Sequence, residues 1–208
     1  MAIVNTETSQ APMVDSRFKI AAFISFSLSI LGLPMLIINF VAASKQSAAL
    51  IFFIQIPLTI VLFVFVIYIL LQLKRLLVER YHLHNMSNLI NFLLIINIYI
   101  YASAILILIF KIFAQDPDAF ASLDVILTIP GILLAGIILF IFGVRLLNVK
   151  DLTLGLYRTF AIISIIDGAC KFTIILLPIA ILSTGAFFVI LGIIFLKESE
   201  TETQVEFV

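Results

Sequence analysis

Tryptophan is missing from this chain, cysteine occurs once, and charge is scarce: of 208 residues, only 12% are Asp, Glu, Lys or Arg. Each shortage excludes something. The single Cys170 leaves no intramolecular disulfide and no cysteine-based metal cluster. Twelve basic residues balance twelve acidic ones, so no net positive field speaks for nucleic acid as a partner. Glycine-rich phosphate loops, HExxH helices, CxxC pairs and the motifs of nucleophilic triads are absent. An intramembrane protease needs a Ser–His or Asp–Asp arrangement inside its spans, and neither is available. No catalytic activity and no cofactor is expected.

What fills the chain is hydrocarbon. Hydrophobic residues make up 63%, including 20 Phe, and the mean hydropathy is +1.29. Soluble domains run at roughly 45–50% apolar, and a water-soluble core of this size cannot hide so much Ile, Leu and Phe. One unit recurs along the chain. From Ile129-Pro130 an uncharged run leads to Arg145-Leu146-Leu147, and an earlier run leads from Ile56-Pro57 to Arg75-Leu76-Leu77. A third starts at Leu177-Pro178 and closes on Lys197. Each is about 20 residues, which at ~1.5 Å per helical residue matches the ~30 Å hydrocarbon core of a bilayer. The expected fold is all-α: a polytopic transmembrane bundle of six helices in three hairpin repeats.

Taken in order, residues 1–16 read as a flexible polar tail and residues 17–197 as the transmembrane domain. Its helices are expected at about 20–43, 48–73, 88–113, 123–148, 154–172 and 175–196, with an acidic disordered tail over 198–208. Val41-Ala42-Ala43 has the look of a signal-cleavage site, but the run before it is longer than the ~7–15 residues of a signal core, so the first helix is expected to be retained. Asp116-Pro117-Asp118 marks a turn. A tight turn between Gly168 and Pro178 divides the last apolar block.

Basic residues give the sidedness. Six helices put Arg17, Lys19, Lys74, Arg75, Arg80, Arg145, Lys150, Arg158 and Lys197 on one side, against Lys45, Lys111 and Lys171 on the other. Such a bias places both termini in the cytoplasm of a multi-pass protein of the cell (inner or plasma) membrane.

Few residues offer chemistry. Asp167 is the one carboxylate well inside an apolar run, where an unpaired Asp costs roughly 2.5–3.5 kcal/mol. Lys171, four residues on, shares its helical face and can neutralise it. Asp167-Gly168-Ala169 resembles the opening of the membrane alcohol phosphatidyltransferase motif. That motif needs further Asp in the next helix, and residues 172–196 contain neither Asp nor Glu. Glu79 and His82 stand three apart, but a di-metal carboxylate site takes two such pairs with further Glu, so no metal is expected. The third helix is the most polar. Its Asn91, Asn97, Tyr99, Tyr101 and Ser103 are expected to bond across helix interfaces, with Asn97–Tyr101 and Tyr99–Ser103 paired at four-residue spacing.

Small residues lie where helices need to approach: Ala22, Ser25, Ser29 and Gly32 along one stripe, then Gly136 with Gly143 and Gly185 with Gly192 one heptad apart. Two functions are consistent with this inventory. The first is an accessory subunit, assembly factor or scaffold acting through helix–helix contacts, with the lipid bilayer and a membrane-protein partner or a second copy of itself as its company. The alternative is a small transporter or channel for an ion or small solute, with Asp167, Lys171, Asn97 and Tyr101 near its pathway.

Overall fold

The computed structural model describes residues 16–45, 51–113, 118–149, 155–173 and 176–205. Most of the N-terminal tail and, of the expected turn Asp116-Pro117-Asp118, the first two residues lie outside them; Asp118 begins a helix. Among the described residues no strand occurs, and there are six α-helices: α1 (Ser16–Lys45), α2 (Ile56–Arg75), α3 (His84–Phe113), α4 (Asp118–Leu147), α5 (Gly155–Phe172) and α6 (Leu177–Val205). Four stretches, 52–80, 84–112, 123–147 and 179–200, are long and apolar enough to cross a membrane. The chain is therefore a helical membrane protein.

Helices are what such a sequence must form, because hydrocarbon offers backbone N–H and C=O groups no partner outside their own segment. Several hydroxyls inside the apolar runs obey the same rule and turn back onto the preceding turn of backbone. Ser25 donates to the Ala21 carbonyl at 2.8 Å, Thr59 to Gln55 at 2.7 Å and Ser164 to Phe160 at 2.8 Å.

The largest departure from the expected boundaries is at the C-terminal end of the last helix. The acidic stretch from Glu198, expected to be a disordered tail, continues α6 as helix to Val205, and both Glu198 and Ser199 are buried. α5 runs to Phe172 as expected, with Gly168 inside it, and the next helix starts at Leu177, so the chain turns within the expected Gly168–Pro178 interval. The chain leaves α5 with the Thr173 N–H bonded to the Ala169 carbonyl at 3.0 Å.

The wider π-helical turns Ile51–Gln55 and Leu76–Arg80 flank α2. The second ends at Arg80, and two residues on comes His82, whose φ of 52° is the only positive value among the described non-glycine residues. The Leu83 N–H then bonds the Leu77 carbonyl at 2.9 Å, a left-handed helix cap one residue wider than the usual form because the turn before it is π-helical.

The tightest packing joins α4 to α5, followed by α1 to α6. Glycine explains the first. A Cβ placed at Gly168 would come within 2.6 Å of both the Gly136 carbonyl oxygen and the Phe140 nitrogen. One at Gly143 would come within 2.7 Å of the Ala161 carbonyl oxygen. The two backbones lie against each other, which is how helices associate where lipid removes the hydrophobic drive. Gly192 lets the Phe26 ring of α1 rest on α6, with a Cβ there only 3.0 Å from the ring. Phe142, Phe160 and Phe187 continue the core as a chain of rings with centroids 6.2 and 4.9 Å apart.

The α1 stripe does not pack along its whole length. Ser25 is fully buried, yet a Cβ on Gly32 would meet nothing within 4 Å. Gly168→Ala is therefore expected to force α4 from α5 and cost about 1–3 kcal/mol, while Gly32→Ala leaves stability unchanged. Thermal unfolding of the two purified variants in one detergent checks the contrast.

Candidate functional site

Asp167 and Lys171 sit one turn apart on α5, and the side chains meet: Lys171 Nζ donates to Asp167 Oδ2 at 2.6 Å. The other carboxylate oxygen is held from α6. Ser183 Oγ and Thr184 Oγ1 both point at Asp167 Oδ1, at 2.7 and 2.8 Å. Ser183 Oγ also lies 3.0 Å from the Ala180 carbonyl, and its one proton serves either acceptor at a time. The Asp167 side chain is 1% exposed and that of Lys171 25%. A buried carboxylate needs both a counter-ion and further donors to offset the loss of water, and here it has them. Ser183 and Thr184 had no assigned role in the sequence. Their one signal was a pair of adjacent hydroxyls in an otherwise apolar run, facing a carboxylate that needed donors.

This cluster borders open space. A cavity of about 190 Å³ has Asn97, Tyr101, Asp167, Lys171 and Thr184 in its wall. A larger one, about 540 Å³, shares Tyr101, Lys171 and Thr184 with it and extends between α1 and α6 past Ser29, Gly32 and Gly185. All four polar candidates thus converge on one place, although α3 and α5 are far apart in sequence. The larger cavity has walls from every helix, with Leu28, Leu62, Tyr101, Ile132, Lys171 and Ala180 as one representative each.

The polar residues of α3 behave differently from one another. Asn97 does not bond across an interface: its Nδ2 donates to the Leu93 carbonyl of its own helix at 2.8 Å. Ser103 likewise bonds the Ile100 carbonyl, at 2.9 Å. The Asn97–Tyr101 and Tyr99–Ser103 pairs do not form as hydrogen bonds. Tyr99 reaches α4 at the Leu127 carbonyl, 3.0 Å away, and Asn91 accepts from Lys74 of α2 at 2.9 Å. Tyr101 packs its ring on Phe63 with centroids 5.5 Å apart. Its hydroxyl, at the cavity wall, forms no hydrogen bond among the described residues.

The small residues divide by position. Gly136, Gly143 and Gly192 are occupied by packing within the bundle, and Ser25 is buried in it. Ser29, Gly32 and Gly185 border the larger cavity instead, with Ser29 Oγ 3.8 Å from where a Gly185 Cβ would stand.

A second polar cluster closes one end of the bundle. Glu198 of α6 accepts from Tyr81 and Tyr157 at Oε1, each at 2.7 Å, and pairs through Oε2 with Arg80. Arg80 also donates to the Glu198 backbone carbonyl at 3.0 Å, and its guanidinium lies 5.9 Å from the centroid of the Phe18 ring. Burial, reinforced by the adjoining Glu198 carboxylate, pushes the Tyr81 phenol up to about 12 from its ordinary 10.0, so it stays a donor. This clasp joins α1, the end of α2, α5 and α6. Reading the residues from 198 as an acidic tail hid it, because Glu198 and Glu200 look alike until the helix turns one inward.

Among the described residues no group of three or more His, Cys, Asp or Glu stands close enough to hold a metal ion. Glu79 lies within the π-helical turn and His82 beyond its end, so their spacing is not a shared helical face. No protein family, no characterised protein and no solved structure matches this chain.

The ion pair makes a clear prediction. Lys171→Met leaves a buried carboxylate uncompensated and is expected to destabilise the fold by about 3–5 kcal/mol. The double variant Asp167→Leu with Lys171→Met is expected to recover most of that loss. Unfolding midpoints of wild type, single and double variants check it.

Proposed function

We propose that this chain is a small non-enzymatic transporter or carrier that takes a small amphipathic solute into the cavity beside Asp167. One observation carries the reading: Asn97, Tyr101, Asp167, Lys171 and Thr184, from three different helices, line one cavity, and Tyr101, Lys171 and Thr184 also border the larger one beside it. Ionisable residues within membrane spans mark solute and ion pathways, and solute sites of membrane carriers lie inside the helical bundle. The wall is mainly Ile, Leu, Val and Phe, which suits an apolar body. Lys171 retains protons beyond the one given to Asp167, and the Tyr101 hydroxyl is open, which suits one polar or anionic group on the solute.

On this reading the six helices cross the bilayer alternately as three hairpins, with both termini in the cytoplasm. The gathering of Phe18, Arg80, Tyr157 and Glu198 at one end of the bundle supports it, as does the bias of the basic residues. Reporter fusions at both ends test the sidedness; an external C-terminus contradicts it.

A second reading, an accessory subunit or scaffold acting through helix contacts, is favoured by α3 and α4. Only 22% of the most apolar window in each is buried within the chain, which leaves broad faces for lipid, a partner or a second copy. The glycines first assigned to such contacts are largely taken up inside the bundle.

Thermal-shift measurements on the purified protein with short-chain carboxylates, aromatic acids and amines, followed by uptake of the stabilising solutes into proteoliposomes, separate the two. The transporter reading expects at least one solute to be taken up, with uptake falling at least tenfold in Asp167→Asn and Tyr101→Phe while both variants insert normally. No uptake, together with a stoichiometric membrane partner retained in mild detergent, establishes the accessory role instead.

A further inference from the structure

A cavity of about 610 Å³ opens where the α2–α3 connection meets the end of α4, away from the Asp167 site. Its wall is formed by His82, Leu83, His84, Asn85, Met86, Arg145 and Val149. Among the described residues the wall contains no acidic side chain and Arg145 makes no ion pair. Arg145, His82, His84 and Asn85 are exposed, whereas Met86 is buried at the base. The connection has a defined shape: the left-handed His82 turns the chain, and bonds from Leu83 to Leu77, His84 to His82 and Met86 to Leu83, at 2.9, 3.0 and 3.0 Å, hold it.

The position matters as much as the lining. Residues 81–83 join the apolar stretches 52–80 and 84–112, while Arg145 lies in the last turn of the stretch 123–147. The cavity is therefore at the level where hydrocarbon gives way to headgroups.

We infer that this cavity binds the phosphate of an anionic phospholipid headgroup, with Arg145 as its principal partner and the two imidazoles and Asn85 as further donors. A guanidinium offers a planar fork of N–H groups that matches two phosphate oxygens. Basic pockets between membrane helices at the cytoplasmic face hold anionic headgroups for this reason. A cation site is disfavoured by the same arginine, and the described lining residues include no carboxylate. A lipid is favoured over a soluble anion because the cavity adjoins three apolar stretches long enough to cross a membrane, which would carry the acyl chains of a bound lipid.

The inference stands apart from the transporter reading and is tested on the full chain. Wild type and variants are purified into nanodiscs of phosphatidylcholine with a minority of phosphatidylglycerol, and retained lipid is read by native mass spectrometry. Wild type is expected to enrich phosphatidylglycerol, with Arg145→Gln reducing enrichment about fivefold, the effect of one cation near an anionic surface. Arg145→Lys keeps most of the enrichment, and Arg158→Gln, which alters a basic residue outside the cavity, leaves it unchanged. Unfolding midpoints in pure phosphatidylcholine are expected to be equal for all four proteins, because Arg145 and Arg158 are exposed. Equal enrichment in wild type and Arg145→Gln, or none in wild type, overturns the proposal. Titration with inorganic phosphate and glycerol 3-phosphate distinguishes the sources. Saturable binding of either without lipid enrichment assigns the cavity to a soluble phosphate and overturns the lipid reading.

Discussion

A carboxylate placed among hydrocarbon has to be neutralised by its own protein, and Asp167 sets that constraint on the bundle. Lys171 answers the charge from one turn away, but a single ammonium cannot satisfy both oxygens. The hydroxyls of Ser183 and Thr184 complete the shell, and they come from the next helix. Satisfying one residue of α5 therefore sets the rotation of α6 about its axis and its height beside α5. The backbone contact at Gly136 and Gly168 does the same for α4 with no polar group at all, through van der Waals approach alone.

Around these fixed points the bundle has two regimes. Toward Glu198 it is closed: Phe18 stacks on Phe195 with centroids 5.9 Å apart, the Tyr81 and Tyr157 rings meet edge to face at 5.2 Å, and the Glu198 carboxylate collects donors from two other segments. Toward Gly32 and Gly185 the helices stand apart and leave the larger cavity. Small residues produce both outcomes. Where two backbones can close on a glycine, as at Gly143, the helices touch; where the facing side is also small, as Ser29 is to Gly185, the missing side chains leave a void.

Much of the architecture was legible before any coordinates. The long runs of Ile, Leu and Phe, broken by Lys and Arg, announce apolar helices, because in lipid such runs have one way to satisfy their backbone. The Asp167–Lys171 pair could also be read, since a four-residue spacing on a helix puts two side chains on one face whatever surrounds them. Of the α3 residues expected to bond across helix interfaces, Tyr99 and Asn91 do so, and Asn97 and Ser103 do not. An amide or hydroxyl has the carbonyls of its own preceding turn within reach, and Asn97 and Ser103 took those. Glu198 was misread for the opposite reason: charge density in a short stretch marks solvent exposure on average, and it cannot show which one of several carboxylates turns inward.

By itself, then, the order of the residues determined that this is a helical membrane protein and that Asp167 would be answered by Lys171. These are local matters, decided by hydropathy and by contacts within one or two helical turns. Only the tertiary structure decided that Tyr101 of α3 and Thr184 of α6 face the same cavity, that Gly168 is a packing surface, and that Glu198 is a clasp. Each of those depends on the rotation and depth of one helix relative to another, and such quantities are set by the packing of whole faces, which no short stretch of sequence contains.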